Sequence, residues 1–201
     1  MLMGETHSAQ SEPEFVTSYQ ESVRTGKPLR GDDGTLIYTH FNNRPRPHFT
    51  LDPFHRVLFW GSVIAPTVLI VWFILRLISG SLAEEVPLHY GIDGQPTRYG
   101  SPLEALIPLI LLAGSLYGIA VLTRYPRIYN FPFELNEHNV QRQYQNAVQM
   151  MIWIQVSMAL VLLAMLLDFQ GMNILLPLMS AAMVIMIGSL VGGIFRMYRL
   201  R

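Results

Sequence analysis

The sequence predicts an all-α integral membrane protein with four transmembrane helices, a short extracytoplasmic β-hairpin-like loop and a cytoplasmic N-terminal tail. Three observations predict it. Of 201 residues, 51% are hydrophobic and only 14% are charged, which is too apolar for an ordinary soluble domain. Four apolar runs follow residue 56, each near the ~20 residues a helix needs to cross a hydrocarbon core of roughly 30 Å. Basic residues gather at alternate ends of those runs.

Residues 1–36 are polar and rich in Ser, Thr, Glu, Gly and Asp. Such a segment buries too little apolar surface to offset its ordering entropy, so it reads as a disordered or loosely helical tail. Its acids and bases nearly balance, which argues against a nucleic-acid-binding arm. The first apolar run begins near Val57, too late for a secretory signal. Residues 37–56 mix Tyr38, Phe41, Arg44, Arg46, Phe49, Phe54 and Arg56 with prolines. Rings and cations together suit a segment approaching a membrane surface; a partner-binding motif is the alternative. The absence of cysteine removes disulfides and thiolate metal sites.

The membrane domain spans 57–201, with helices expected over 57–79, 102–122, 147–167 and 174–195. Only helices satisfy their own backbone hydrogen bonds in lipid. Arg44, Arg46 and Arg56 precede the first span, Arg124, Arg127 and Arg142 lie between the second and third, and Arg196, Arg199 and Arg201 follow the fourth. The opposite side carries Arg98, with Arg76 placed to snorkel. Both termini are therefore expected in the cytoplasm, the chain being a multi-pass protein of the bacterial inner membrane whose first partner is the lipid bilayer. The 168–173 connection becomes a tight outer turn. Pro126 and Pro132 break the chain after the second span, and Asn136 is the expected N-cap of one long helix, with Glu137 set against its dipole.

The loop 81–101, SLAEEVPLHYGIDGQPTRYGS, is a long polar segment with apolar runs close on both sides. Val86, Leu88 and Tyr90 alternate with Pro87 and His89, a strand-like period of two. Asp93-Gly94 is a turn dipeptide, and Thr97, Arg98 and Tyr99 form the returning strand before Gly100 and Ser101-Pro102 open the next helix. A hairpin this small needs support from helix ends or a partner.

Within that loop, Val86, Pro87, His89, Tyr90, Gly94, Pro96, Arg98, Tyr99, Gly100 and Ser101 match the signature of a known group. The pattern resembles a bacterial membrane domain of unknown function that also forms the front part of SdpI-type toxin-immunity proteins. Ala83 stands where that signature has a proline, and Pro102 where it often has a basic residue. A second stretch, 124–144, is similar to the segment that follows the second helix in the same group. The resemblance implies a non-enzymatic protein whose loop recognises or resists an extracytoplasmic protein or peptide, as immunity or envelope-stress components do. A small transporter or channel, or an accessory subunit of a larger membrane complex, are the alternatives.

His89 with Glu84, Glu85 and Asp93 has no metal-ligand spacing of known specificity, so it reads as a structural histidine. No catalytic residue, metal or cofactor is expected. Arg98 is expected to fix the hairpin or to pair with Glu84, Glu85 or Glu104. No Asp, Glu, Lys, Arg or His lies near the middle of any span, and Gln155 is the most polar central side chain, which weakens an ion-coupled transporter. Nor are there paired inverted repeats with broken helices. Gly114/Gly118 and Gly188/Gly192 are small-residue motifs for close helix packing within the chain, with homodimerisation as the alternative. Pro66 and Pro108 predict kinks or local loosening. Met150, Met151, Met158, Met165, Met179, Met183 and Met186 scatter around their helices as packing residues, not as a soft-metal path.

Overall fold

The structure, a computed structural model, describes residues 14–91, 93–172 and 174–201. Its elements run α1 (Tyr19–Thr25), β1 (Leu29–Arg30), β2 (Leu36–Tyr38), a 3₁₀ turn (Phe41–Asn43), α2 (Pro53–Ile78), β3 (Val86–Tyr90), β4 (Pro96–Gly100), α3 (Leu106–Leu122), a 3₁₀ turn (Pro126–Ile128), β5 (Leu135–Asn136), α4 (Val140–Asp168) and α5 (Leu175–Arg199). Three helices, α2, α4 and α5, are long and apolar enough to cross a membrane. The fourth apolar helix, α3, has 17 residues. The run 102–122 loses its first four residues because 102–105 form turns, tightened by the Glu104 N–H donating to Ser101 O at 2.9 Å. Pro108 then falls in the first turn of α3, where its missing N–H would have had no helical partner anyway.

Helix α4 is the spine. α5, α2 and α3 all pack chiefly on it, and α2 and α5 on it rather than on each other. Its side chains Ile152, Leu162, Ala164 and Leu166 are wholly enclosed, while α5 turns Val184 and Val191 outward at 71% and 64% exposure. One apolar cluster, with Phe73, Leu109, Leu162, Leu166 and Phe169, sits toward the β3–β4 end of the bundle. A second, centred on Leu135, Val140 and Tyr144 and packed by Tyr38, Phe49 and Phe131, sits at the end where α4 begins and α5 finishes, the terminal end.

The terminal end departs from the sequence reading. Residues 1–13 of the expected tail lie outside the described residues. Residues 14–36 carry a helix and strands that belong to a three-stranded antiparallel sheet in the order β1-β2-β5. Local composition could not reveal this, because the ordering contacts come from elsewhere in the chain. Ile37 pairs with Asn136 and Tyr38 with Leu135, and Glu137 N–H donates to Leu36 O at 3.0 Å. The 37–56 segment wraps the same end: the Arg44 guanidinium donates to the carbonyls of Arg127 (2.7 Å) and Tyr129 (2.6 Å). The long helix begins at Val140 with Asn139 as its cap residue, not at Asn136. Asn136 is held in β5 and its Oδ1 accepts from the N–H groups of His138 and Asn139, each at 3.0 Å.

The glycine motifs also differ from expectation. A Cβ placed on Gly114, Gly118, Gly188 or Gly192 meets no atom within 4 Å, so none of the four closes a helix contact among the described residues. The packing glycine is Gly193, where a Cβ would fall 2.5 Å from Met150 Sδ. Gly193→Val should therefore overpack the α4–α5 seam and cost roughly 1–3 kcal/mol. Gly188→Ala and Gly192→Ala should leave the melting temperature in detergent within a degree or two of the parent, or raise it. Equal destabilisation by all three substitutions would contradict this assignment.

Candidate functional site

The hairpin forms as the Asp-Gly turn and alternation predicted. Val86 pairs with Gly100, Pro87 with Tyr99, His89 with Arg98 and Tyr90 with Pro96, with register shifts on either side of His89. Gly94 takes φ 74°, which an L side chain rarely adopts, and its Cα faces Leu176 at the start of α5. Ile92 lies outside the described residues. Gly100 is required by close approach, since a Cβ there would meet Leu88 Cδ1 at 2.4 Å.

Three attachments fix the hairpin on the bundle. Val86, 1% exposed, inserts into the cluster with Phe73, Leu109 and Phe169. The Tyr90 hydroxyl donates to the Asp168 carboxylate at the last residue of α4. Arg98 pairs with Glu104 at 2.6 Å, as expected for one of its three candidate partners. Burial, and then the Asp168 carboxylate, hold the Tyr90 phenol well above its ordinary value, so it remains a donor at any physiological pH. His89 is exposed, and its Nδ1 lies 2.6 Å from Thr97 Oγ1 across the strands. That is a structural role within the hairpin. Among the described residues no group of three His, Asp or Glu could hold a metal ion.

Between the hairpin and the α4–α5 corner lies a cleft of 540 Å³, walled by Glu85, Tyr90, Asp93, Tyr99, Asp168 and Phe169. Of the signature residues, Pro87, Tyr90, Gly94, Pro96 and Tyr99 line it, whereas His89 and Arg98 do not. Its charged walls are carboxylates without a cation among them. On the far side Arg76 ties α2 to the same corner, donating to Gln170 Oε1 at 2.6 Å and to Ser81.

A polar network at the terminal end was not anticipated. Asp52 caps α2, its Oδ1 accepting from His55 N–H at 3.1 Å and its Oδ2 lying 2.7 Å from His55 Nδ1. Gln149 Nε2 donates to the same Oδ2 at 3.0 Å, and Gln149 Oε1 accepts from Arg196 at 2.7 Å. Asn146 and Gln143 donate to the carbonyls of Gly193 and Met197, each at 2.9 Å. The signal for this face was present: Gln143, Asn146 and Gln149 recur every three residues, a spacing that stacks side chains along one side of a helix. The His55 backbone N–H, with the ring and Gln149 assisting, holds the Asp52 carboxyl at about 2.

No family model matches the chain, and no solved structure matches it. An uncharacterized protein of Archaeoglobus fulgidus is 31% identical over 85 residues, which make up 38% of this chain and 46% of that protein. The chain thus spans less than half the length of that relative.

Tyr90→Phe should speed amide exchange throughout β3 and β4 and lower stability by about 1.5–3 kcal/mol, the scale of a hydrogen bond to a charged acceptor; unaltered protection would remove Tyr90 as an anchor. Because the folded carboxyl of Asp52 lies below its ordinary 3.8, its contribution is fully present above that value and is lost as pH falls through about 2. The melting temperature of the protein should exceed that of Asp52→Asn by a constant margin down to about pH 5, a margin that closes toward pH 2. A margin independent of pH would show that the carboxylate is not what stabilises.

Proposed function

We propose that the chain is a four-span membrane protein whose hairpin cleft binds a protein or peptide outside the cytoplasm, acting by recognition and not by catalysis. The observation that carries this reading is the 540 Å³ cleft walled by a hairpin that is fixed to three helices. A prefixed concave surface binds without first paying for its own ordering. The resemblance of the loop to the front domain of SdpI-type immunity proteins supports the same reading and favours an immunity or envelope-stress role in a bacterial inner membrane.

In this proposal α3 is the fourth span. Its 17 residues extend roughly 25 Å as a helix, within the lower range for a spanning segment. The terminal end faces the cytoplasm, since Arg44, Arg46, Arg56, Arg124, Arg127, Arg196 and Arg199 cluster there. A second reading, an accessory subunit or homodimer held through lateral helix contact, is favoured by Gly114 and Gly118, which leave an unfilled strip on α3.

The test is purification from the native host in mild detergent, with mass spectrometry of what accompanies the protein, beside a Glu85→Gln/Tyr99→Ala variant. Those side chains wall the cleft but make none of the attachments that hold the hairpin. The expected outcome is one stoichiometric partner on the parent and at least a tenfold loss on the variant. A partner retained equally by both would move the binding surface off the cleft. A lone oligomer in both would count against stable recognition.

A further inference from the structure

The cavity at the terminal end of the bundle has a chemistry distinct from the hairpin cleft. It measures 210 Å³ and opens where α2, α4 and α5 diverge, lined by His55, Asn146, Gln149, Trp153, Gly188 and Arg196. Asp52 does not line it; both its oxygens are taken by His55 and Gln149. Arg196 is held at the mouth by its single bond to Gln149 Oε1. Among the described residues its guanidinium has no carboxylate partner and makes no other hydrogen bond. A guanidinium positioned by a neutral amide, with its remaining N–H groups undirected, is a fork awaiting an anion.

Depth and surroundings narrow the anion. The site lies in the first turns of α2 and the last turns of α5, where a spanning helix meets the headgroup layer. Phe54 and Trp153 face each other there at 5.9 Å between ring centroids, the aromatic character of an interfacial belt. Gly188 and Gly192 leave the floor open, with nothing within 4 Å of an added Cβ, and α2 and α5 do not close over it. A phosphate at Arg196 could therefore continue into an acyl chain lying along the α5 glycines.

We propose that this cavity binds the phosphate headgroup of an anionic phospholipid, with Arg196 as the principal donor, Gln149 as the residue that positions it, and His55 and Trp153 as the walls. The general precedent is physical: basic pockets between spanning helices on one membrane face select acidic headgroups.

Native mass spectrometry of the detergent-purified protein with dioleoylphosphatidylglycerol or dioleoylphosphatidylcholine at equal concentration tests it. The parent should retain one phosphatidylglycerol in preference to phosphatidylcholine. Arg196→Gln should weaken that retention roughly tenfold, the scale of one charge-assisted hydrogen bond. Gly192→Leu, which fills the floor without changing charge, should weaken it comparably, while Arg199→Gln, a cation on the same helix end but outside the cavity lining, should not. Equal retention of the two lipids by the parent overturns the proposal, as does an Arg199→Gln effect as large as that of Arg196→Gln. Displacement of phosphatidylglycerol by millimolar inorganic phosphate, with unchanged retention in Gly192→Leu, would assign the site to free phosphate and overturn the lipid.

Discussion

The rest of the structure depends on the hydrogen bonds that α4 sends into its neighbours. In lipid, apolar side chains gain little by leaving the solvent, so helices associate through close packing and interhelical hydrogen bonds. The amides of α4 supply those bonds in both directions: Gln143 and Asn146 reach carbonyls of α5, Gln149 reaches the cap of α2, and Gln155 reaches Phe59 O at 3.4 Å. Gln143 meets Met197 O in the last turn of α5, a carbonyl that also accepts from the Leu200 N–H at 3.2 Å. Gly193 has no side chain to keep Asn146 from its carbonyl. Each such bond contributes about 0.6–2 kcal/mol in a membrane setting. The Oε1 atoms of Gln143 and Gln155 have no partner among the described residues, an offset of similar size. What the amides supply is therefore less net stability than register: they decide which turns of α2 and α5 face α4.

Given that spine, the two ends of the molecule follow. At its last residue α4 presents Asp168 to Tyr90, so the hairpin is indexed to the same helix that sets the position of α5. At its first turns α4 receives the N-terminal segment: Gln141 donates to Arg46 O at 2.9 Å and accepts from His48 N–H at 2.8 Å. Tyr144, fully enclosed, packs against Phe131 with ring centroids 5.9 Å apart and planes tilted by 43°. Movement of α4 along its axis would have to disturb both ends together.

Hydropathy alone located the bundle, because a run of apolar residues near span length has few other stable fates. The hairpin was equally accessible, since Asp93-Gly94 and the alternation from Val86 are local signals. What escaped was non-local. The β2–β5 pairing joins residues about a hundred positions apart, and neither strand has the length or alternation to declare itself. Gln143, Asn146 and Gln149 escaped because polar side chains near a helix start are equally compatible with a solvent-facing surface. Only the arrival of α2 and α5 makes them interior. The glycine motifs misled for a related reason: small-residue spacing specifies that a close approach is allowed, not which partner makes it. In α5 that approach is made by Gly193, one residue outside the Gly188/Gly192 pair.

The distribution of charge joins these parts into one argument about a membrane. The hairpin end carries Glu84, Glu85, Asp93, Glu104 and Asp168 against Arg76 and Arg98, and both arginines are engaged, Arg76 with Ser81 and Gln170 and Arg98 with Glu104. The terminal end carries most of the arginines, and there the structure treats them unequally. Arg44 is turned inward onto carbonyls of the 124–131 connection, and burial lowers the proton affinity of its guanidinium below the ordinary value. It acts as a strut. Arg196 is exposed at the cavity lining with one neutral side-chain contact. A cation costs little in that position only where water or an anion completes its coordination, and at the depth of a helix end the headgroup layer supplies both. The same asymmetry that underlies the proposed orientation thus also underlies the proposed lipid site.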